Sequence, residues 1–168
     1  RPDRAENDAG ARVSDYRYSS IDTTRRTPLW FFDHVGAPAL DQVQVYRLHR
    51  ELLAAHCLGD AELMSELSVE EVVSANNGAL QRYPNDSMLE RFTALFERLD
   101  YSEYHDIAMP IIEVAASSDV GWIGTNVRAI GSDKVTGASF DNQWAWLMVV
   151  RKVDGRWLHA GNASNVER

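Results

Sequence analysis

The sequence predicts an α+β domain, with helices first and an antiparallel sheet last. Three observations predict it. Apolar residues recur at helical spacing from Asp41 to Leu99, alternating strand-like segments take over after Asp100, and Asp154-Gly155 cuts the last apolar stretch into a hairpin.

The elements follow in order. Residues 1–28 are polar and show no sustained period, as in an extended arm. In "TPLWFFDHVGAPALD", Leu29, Trp30, Phe31 and Phe32 are contiguous before Gly36 and Pro38 break the chain. Four such side chains are costly in water, so they are expected to pack on the domain or on a second subunit. The division is thus an arm over 1–40 and a domain over 41–168. Asp41 reads as an N-cap, and behind it Val45, Leu48, His49, Leu52, Leu53, Ala55 and His56 keep helical spacing up to Gly59. Asp60 caps a shorter helix bearing Leu63, Met64 and Leu67. "VEEVVSANNGALQRYP" reads as a small hairpin turning at Asn77-Gly78. Ser87 and Glu90 form a capping box before the stripe Met88, Leu89, Phe92, Leu95, Phe96 and Leu99. Strands are expected over 101–116, 120–131, 139–153 and 156–165.

Composition narrows the function classes. The 168 residues carry a net charge of −8, which disfavours nucleic acid and anionic membrane surfaces as partners. Residues 1–28 hold six arginines against five acids, a net of +1, which leaves −9 for the rest. Cys57 is the single cysteine, so no internal disulfide can form and the redox compartment stays open. No apolar run reaches the roughly 20 residues of a bilayer span. Arg1 stands where a methionine would begin a chain, so a signal peptide or an expression tag preceded it, and export is favoured over the cytoplasm. There is no G-x-S-x-G elbow, no G-x-G-x-x-G and no phosphate-binding loop. Cys57 reads as a buried filler. His34, His105 and His159 have no ligand spacing, so neither metal nor cofactor is expected.

Strand 139–150 presents two faces. One parity holds Phe140, Asn142, Trp144, Trp146, Met148 and Val150; the other holds Asp141, Gln143, Ala145, Leu147 and Val149. The tryptophan set is too large for an exposed face and should pack on the helices. The second set is apolar where a water-facing sheet would be polar, so either the Trp30–Phe32 cluster or a partner subunit is expected to cover it.

A long first helix ending "AAHCLGDAELMSEL", a short second helix, a hairpin and a capped third helix precede a sheet that closes with "VVRKVDGRWLHAGNASN". This order resembles the nuclear transport factor 2-like superfamily over residues 41–166, in particular its SnoaL-like and ketosteroid-isomerase-like branches. The resemblance implies a cone: a strongly curved, mostly antiparallel sheet wrapped around the long N-terminal helix, with two further helices and a cavity between. It places Trp144 and Trp146 on the cavity wall, with Asn162 and Ser164 near the mouth. It also implies pairing of two cones, sheet to sheet, as a homodimer with Leu147 near the centre.

The expected ligand is an apolar, ring-bearing small molecule contacting Asn126, Asn142, Trp144, Trp146, Asn162 and Ser164. Two functions remain open. One is a ligand-binding module of unassigned activity. The other is a lyase, isomerase or hydrolase working by general acid–base catalysis, with His49 or His56 as base. The alternative for each histidine is a core residue satisfied by a carbonyl. The tryptophan parity offers no carboxylate, which leaves Asp106, Glu113 or a bulge-shifted Asp141 as candidate acids.

Overall fold

The computed structural model describes residues 40–166; the arm before them, with its Leu29–Phe32 cluster and His34, lies outside the described residues. Helix α1, Leu40–Leu58, buries Val45, Leu48, Leu52, Leu53 and Ala55, the residues that the periodicity selects. Gly59 ends it at φ 64°, a left-handed turn that favours glycine. Asp60 then caps α2, Ala61–Glu66, accepting from the Leu63 amide at 2.9 Å. Strands β1, Ser68–Asn76, and β2, Ala79–Pro84, form the expected hairpin. Asn77 and Gly78 both take positive φ, 52° and 75°, as a two-residue turn of this hand requires.

Helix α3, Asn85–Arg98, corrects the capping-box reading. It starts two residues before Ser87, behind Pro84, and no side chain caps it. Asn85 is occupied elsewhere: its Nδ2 donates to the carbonyls of Ser65, Ser68 and Val69, and its Oδ1 accepts from Ser65. One amide thus fastens α3 to the α2–β1 connection.

The remaining strands are β3 (Leu99–Asp106), β4 (Ile111–Val114), β5 (Val120–Asp133), β6 (Ser139–Val153) and β7 (Arg156–Val166). The single strand expected over 101–116 is in fact two. It breaks at Ile107–Pro110, where proline has no N–H to offer a ladder. The sheet order is β2-β1-β7-β6-β5-β3, with β4 also on β5. All pairs are antiparallel except β1 with β7. Asp154 and Gly155 turn the β6–β7 hairpin with φ of 50° and 79°.

The sheet curves around α1, and its register shows how. Bulges interrupt β3 between Tyr101 and Glu103, and the β6–β7 pairing between Val149 and Val150. Such insertions bend a strand and sharpen its twist. Beside the first bulge the backbones crowd: a Cβ added to Gly131 would lie 2.0 Å from the Asp100 carbonyl oxygen. Only glycine fits there. The concave face joins Val45, Leu48, Leu52 and Ala55 of α1 to Ile123, Met148, Val150 and Trp157 in one core.

Gly131→Ala should therefore lower stability by about 1–3 kcal/mol, the usual range for overpacking. Chemical denaturation measures it, with exposed Ser139→Ala as control; an unchanged midpoint would mean that β3 and β5 do not approach so closely.

Candidate functional site

Helix α1 turns three polar residues inward, Asp41, His49 and His56, and each meets a different surrounding. Asp41 is not the N-cap that its position suggests, because the helix already includes Leu40. Its carboxylate accepts from Lys152 and from the Trp157 indole at 3.0 Å, which ties the helix start to the β6–β7 hairpin. The Lys152 hydrogen bond, with that of Trp157, holds Asp41 below the ordinary carboxylate range.

His49, two turns on, is fully buried. Its Nε2 lies 2.9 Å from both oxygens of Asp106, the last residue of β3. Thr125, on the concave face of β5, donates to Asp106 Oδ1 at 2.6 Å. The His49 Nδ1 is buried with no hydrogen-bond partner. The other two candidate acids face away. Glu113 stands opposite Trp122 on the outer face, and Asp141 holds Arg128 there by two bonds of 2.8 and 2.6 Å. No bulge carries Asp141 inward.

His56 sits among aromatic rings. It stacks on Tyr104 at 4.3 Å and 10°, and Phe92, Phe96 and Trp146 lie within 5.8 Å of its centroid. Its Nδ1 donates to the Leu52 carbonyl at 2.8 Å, so Nε2 carries the lone pair in the neutral ring. Burial holds His56 down to about 4 and pushes Tyr101 up to about 12, so both stay uncharged at neutral pH. Burial likewise raises Tyr104 and the Cys57 thiol, which points at the Tyr104 carbonyl.

The concave parity of β6 shows where the interior is filled. Val150 and Met148 are 0% and 3% exposed, whereas Trp146, Trp144, Asn142 and Phe140 are only half-buried. Packing is complete toward the β6–β7 hairpin and open toward the start of β6. Trp146 packs against that core and against a second cluster of Leu53, Tyr104, Val127 and Ala129, and Trp144 lies 6.4 Å from Tyr104. Asn162 stands opposite Met148 and beside Ser74 in register. Ser164 donates through its backbone N–H (2.8 Å) and Oγ (2.7 Å) to Asn76 Oδ1, whose amide donates to Ser74. Asn126 is misplaced by the sequence reading: it pairs with Ala145 on the outer face and is exposed.

Several site residues escaped the sequence reading. Tyr101 and Tyr104, three apart, should alternate to opposite faces; the bulge between them returns both to the concave side, 5.2 Å apart. Asn76 and Ser74 were read only as hairpin residues. His159 is also buried, with Nε2 unpartnered, and burial holds it down to about 4. Among the described residues no three His, Cys, Asp or Glu side chains gather as a metal set, and no helix is long and apolar enough to cross a membrane.

The outer face carries a groove of about 710 Å³ lined by Leu147, Val149, Val153, Leu158, Ala163 and Arg82, among others. Leu147 and Val149 are 49% and 39% exposed there.

No family model matches the chain, and no curated protein does. Solved structures do. A nuclear transport factor 2-like superfamily protein from Salmonella enterica superposes with a TM-score of 0.67 at 11% identity, over 77% of this chain and 92% of that one. A ketosteroid isomerase-like protein from Erwinia carotovora gives 0.64 at 17% identity, over 76% and 97%. A nuclear transport factor 2-like protein from Cytophaga hutchinsonii gives 0.61 at 15%, over 73% and 95%. The chain has the nuclear transport factor 2-like fold.

The buried histidines set a pH dependence. His56 and His159 titrate near 4 when folded, against 6.5 ordinarily, so between those values the unfolded chain binds protons that the folded chain refuses. Stability is full above about 6.5 and falls as pH drops toward about 4. Urea titrations across this window should show the loss, and His56→Phe should flatten part of it.

Proposed function

We propose that the domain binds an apolar, ring-bearing small molecule at the open end of its concave face, among Trp144, Trp146, Tyr101 and His56. The observation that carries this reading is His56. Its ring is held in one tautomer by the Leu52 carbonyl, and among the described residues nothing hydrogen-bonds its Nε2. A neutral acceptor inside a wall of rings suits a ligand that is flat and carries one hydrogen-bond donor. Half-buried Trp144 and Trp146 leave such a ligand ring surface to stack on. Asn142, Asn162 and Ser164 stand on the same face and supply polar contacts at its edge.

Calorimetry with two probes tests this. 2-Naphthol should bind more tightly than naphthalene by about tenfold, the equivalent of one net hydrogen bond. His56→Phe should erase that difference, and Trp146→Ala should weaken both. Equal affinities of wild type and His56→Phe for 2-naphthol would sink the assignment.

The same reading includes a homodimer through the outer sheet face. Leu147 and Val149 form an exposed apolar row in mid-sheet beside the groove, and a two-fold axis would bring identical rows together. Light scattering should give a dimer for the wild type and a monomer for Leu147→Glu. A dimeric Leu147→Glu would move the contact off this face.

A further inference from the structure

We propose that the Leu29–Phe32 segment of the arm docks in the outer-face groove of its own subunit, which makes that groove a site for an aromatic stretch of chain. Nothing in this depends on the interior binding a ligand.

The strand register explains why the groove is there. Gly161 and Ala163 of β7 line it and have little bulk. Val149 and Leu147 of β6 pair with them on one side, and Val73 of β1 pairs with Gly161 on the other. Small residues between larger apolar ones leave a trough along β7. No side chain can be added at Gly161 to fill it, because a Cβ there would lie 2.8 Å from the Val73 carbonyl oxygen. Val153 and Leu147 both line the trough and stand six residues apart on β6, which makes it about 20 Å long. An exposed apolar trough of this kind marks a surface for another segment or partner to cover.

The same chain supplies an occupant within reach. Helix α1 begins at Leu40, and Asp41 is held by Lys152 and Trp157 at the β6–β7 hairpin. Arg151 and Val153, on either side of Lys152, line the trough on the opposite face. The described chain therefore begins one sheet thickness from the end of the trough. Phe32 precedes Leu40 by eight residues, which span up to about 26 Å when extended. That is enough to round the hairpin and set Phe32 near Val153, with Leu29 further along toward Leu147. The tether also keeps the segment at a millimolar effective concentration, whereas a second subunit's arm is near only while the two associate. A docked segment would widen the apolar face that a second subunit meets.

Charge agrees with this direction of docking. The residue after Phe32 is Asp33, so an acid would arrive at the hairpin end of the trough. Arg151 stands there, exposed, and among the described residues no carboxylate pairs with it. The other arginine of the groove, Arg82, is already satisfied by Glu71 at 2.6 Å. Asp33 and Arg151 would thus pair across one end while the apolar side chains fill the rest.

Chymotrypsin digestion of the full chain tests the contact, because this protease cuts after Trp30, Phe31 and Phe32. Cleavage there, read by mass spectrometry, should be at least about tenfold slower than in a synthetic peptide of residues 25–36, since a docked segment is cut only while it is open. The protection should persist through serial dilution, as a contact within one subunit requires. Ala163→Glu, which puts a charge on the trough floor, should bring cleavage close to the peptide rate. Arg151→Glu should also speed it, and adding Asp33→Arg should restore protection, each chain being compared with its matching peptide. A general loosening of the fold would not be rescued in that way. If Ala163→Glu folds poorly, the charge exchange between Arg151 and Asp33 carries the test. Wild-type cleavage at the peptide rate, or protection that neither Ala163→Glu nor Arg151→Glu reduces, overturns the inference. Protection that fades on dilution overturns it too, by assigning the segment to a second subunit.

Discussion

Helix α1 cannot be buried without burying polar groups, and that constraint organises the rest of the molecule. Asp41, His49 and His56 fall at steps of eight and seven residues, which is one stripe of a helix. The stripe faces the sheet, so each residue needs a partner where it lands. Asp41 meets Lys152 and Trp157 at the β6–β7 hairpin, His49 meets Asp106 at the end of β3, and His56 turns back to its own helix at Leu52. Hydrophobic burial drives the helix into the concave face, but it is indifferent to rotation and sliding. Two directional contacts with different strands, one at the helix start and one midway, define both.

The sheet answers with a graded interior. Three long strands, β5, β6 and β7, send alternate residues toward α1, and their bulk changes along the strand. Ile123, Met148 and Val150 close the core with small exposures, while the large rings of Trp144, Trp146 and Phe140 stay half-covered. Large flat side chains around a concave surface cannot all pack edge to face on a single helix, so the aromatic end stays open. On the proposed reading, stability and ligand binding fall at opposite ends of one core, and substitutions at the two ends should act on different properties.

Much of this was legible in residue spacing. The Asn77-Gly78 and Asp154-Gly155 turns, the Asp60 cap and the α1 periodicity follow from local chemistry, and the structure has each. What was not legible depends on contacts far apart in sequence. Asp41 has the look of a cap because caps are acidic and precede apolar stripes; its real partners lie 111 and 116 residues away. Asp106 could be named as a candidate, yet its pairing with His49 spans 57 residues and needs the sheet's curvature. Tyr101 and Tyr104 share a face only because a bulge falls between them, and alternation alone separates them. Asn126 failed for the opposite reason: there alternation holds, and it places the amide on the outside.

The polar character of the interior narrows what it can accept. His56 and His49 each spend their one N–H on the protein, on a carbonyl and on a carboxylate, so each keeps a lone pair on its other nitrogen. His159 follows the same pattern: its Nδ1 faces Ser68, its Nε2 is bare, and Ser68 has already given its proton to the Met64 carbonyl. The tyrosines differ, since burial raises their pKa and keeps them as neutral O–H donors. A guest of the proposed kind would then bring donors to the helix side and acceptors to the tyrosine side. A hydrocarbon would fill space but leave the histidine nitrogens unpaired, and a carboxylate would set its charge against their lone pairs. On the proposed reading the arrangement favours a neutral, hydroxyl-bearing ring compound over either, through the direction of the histidine N–H bonds rather than through the shape of the cone.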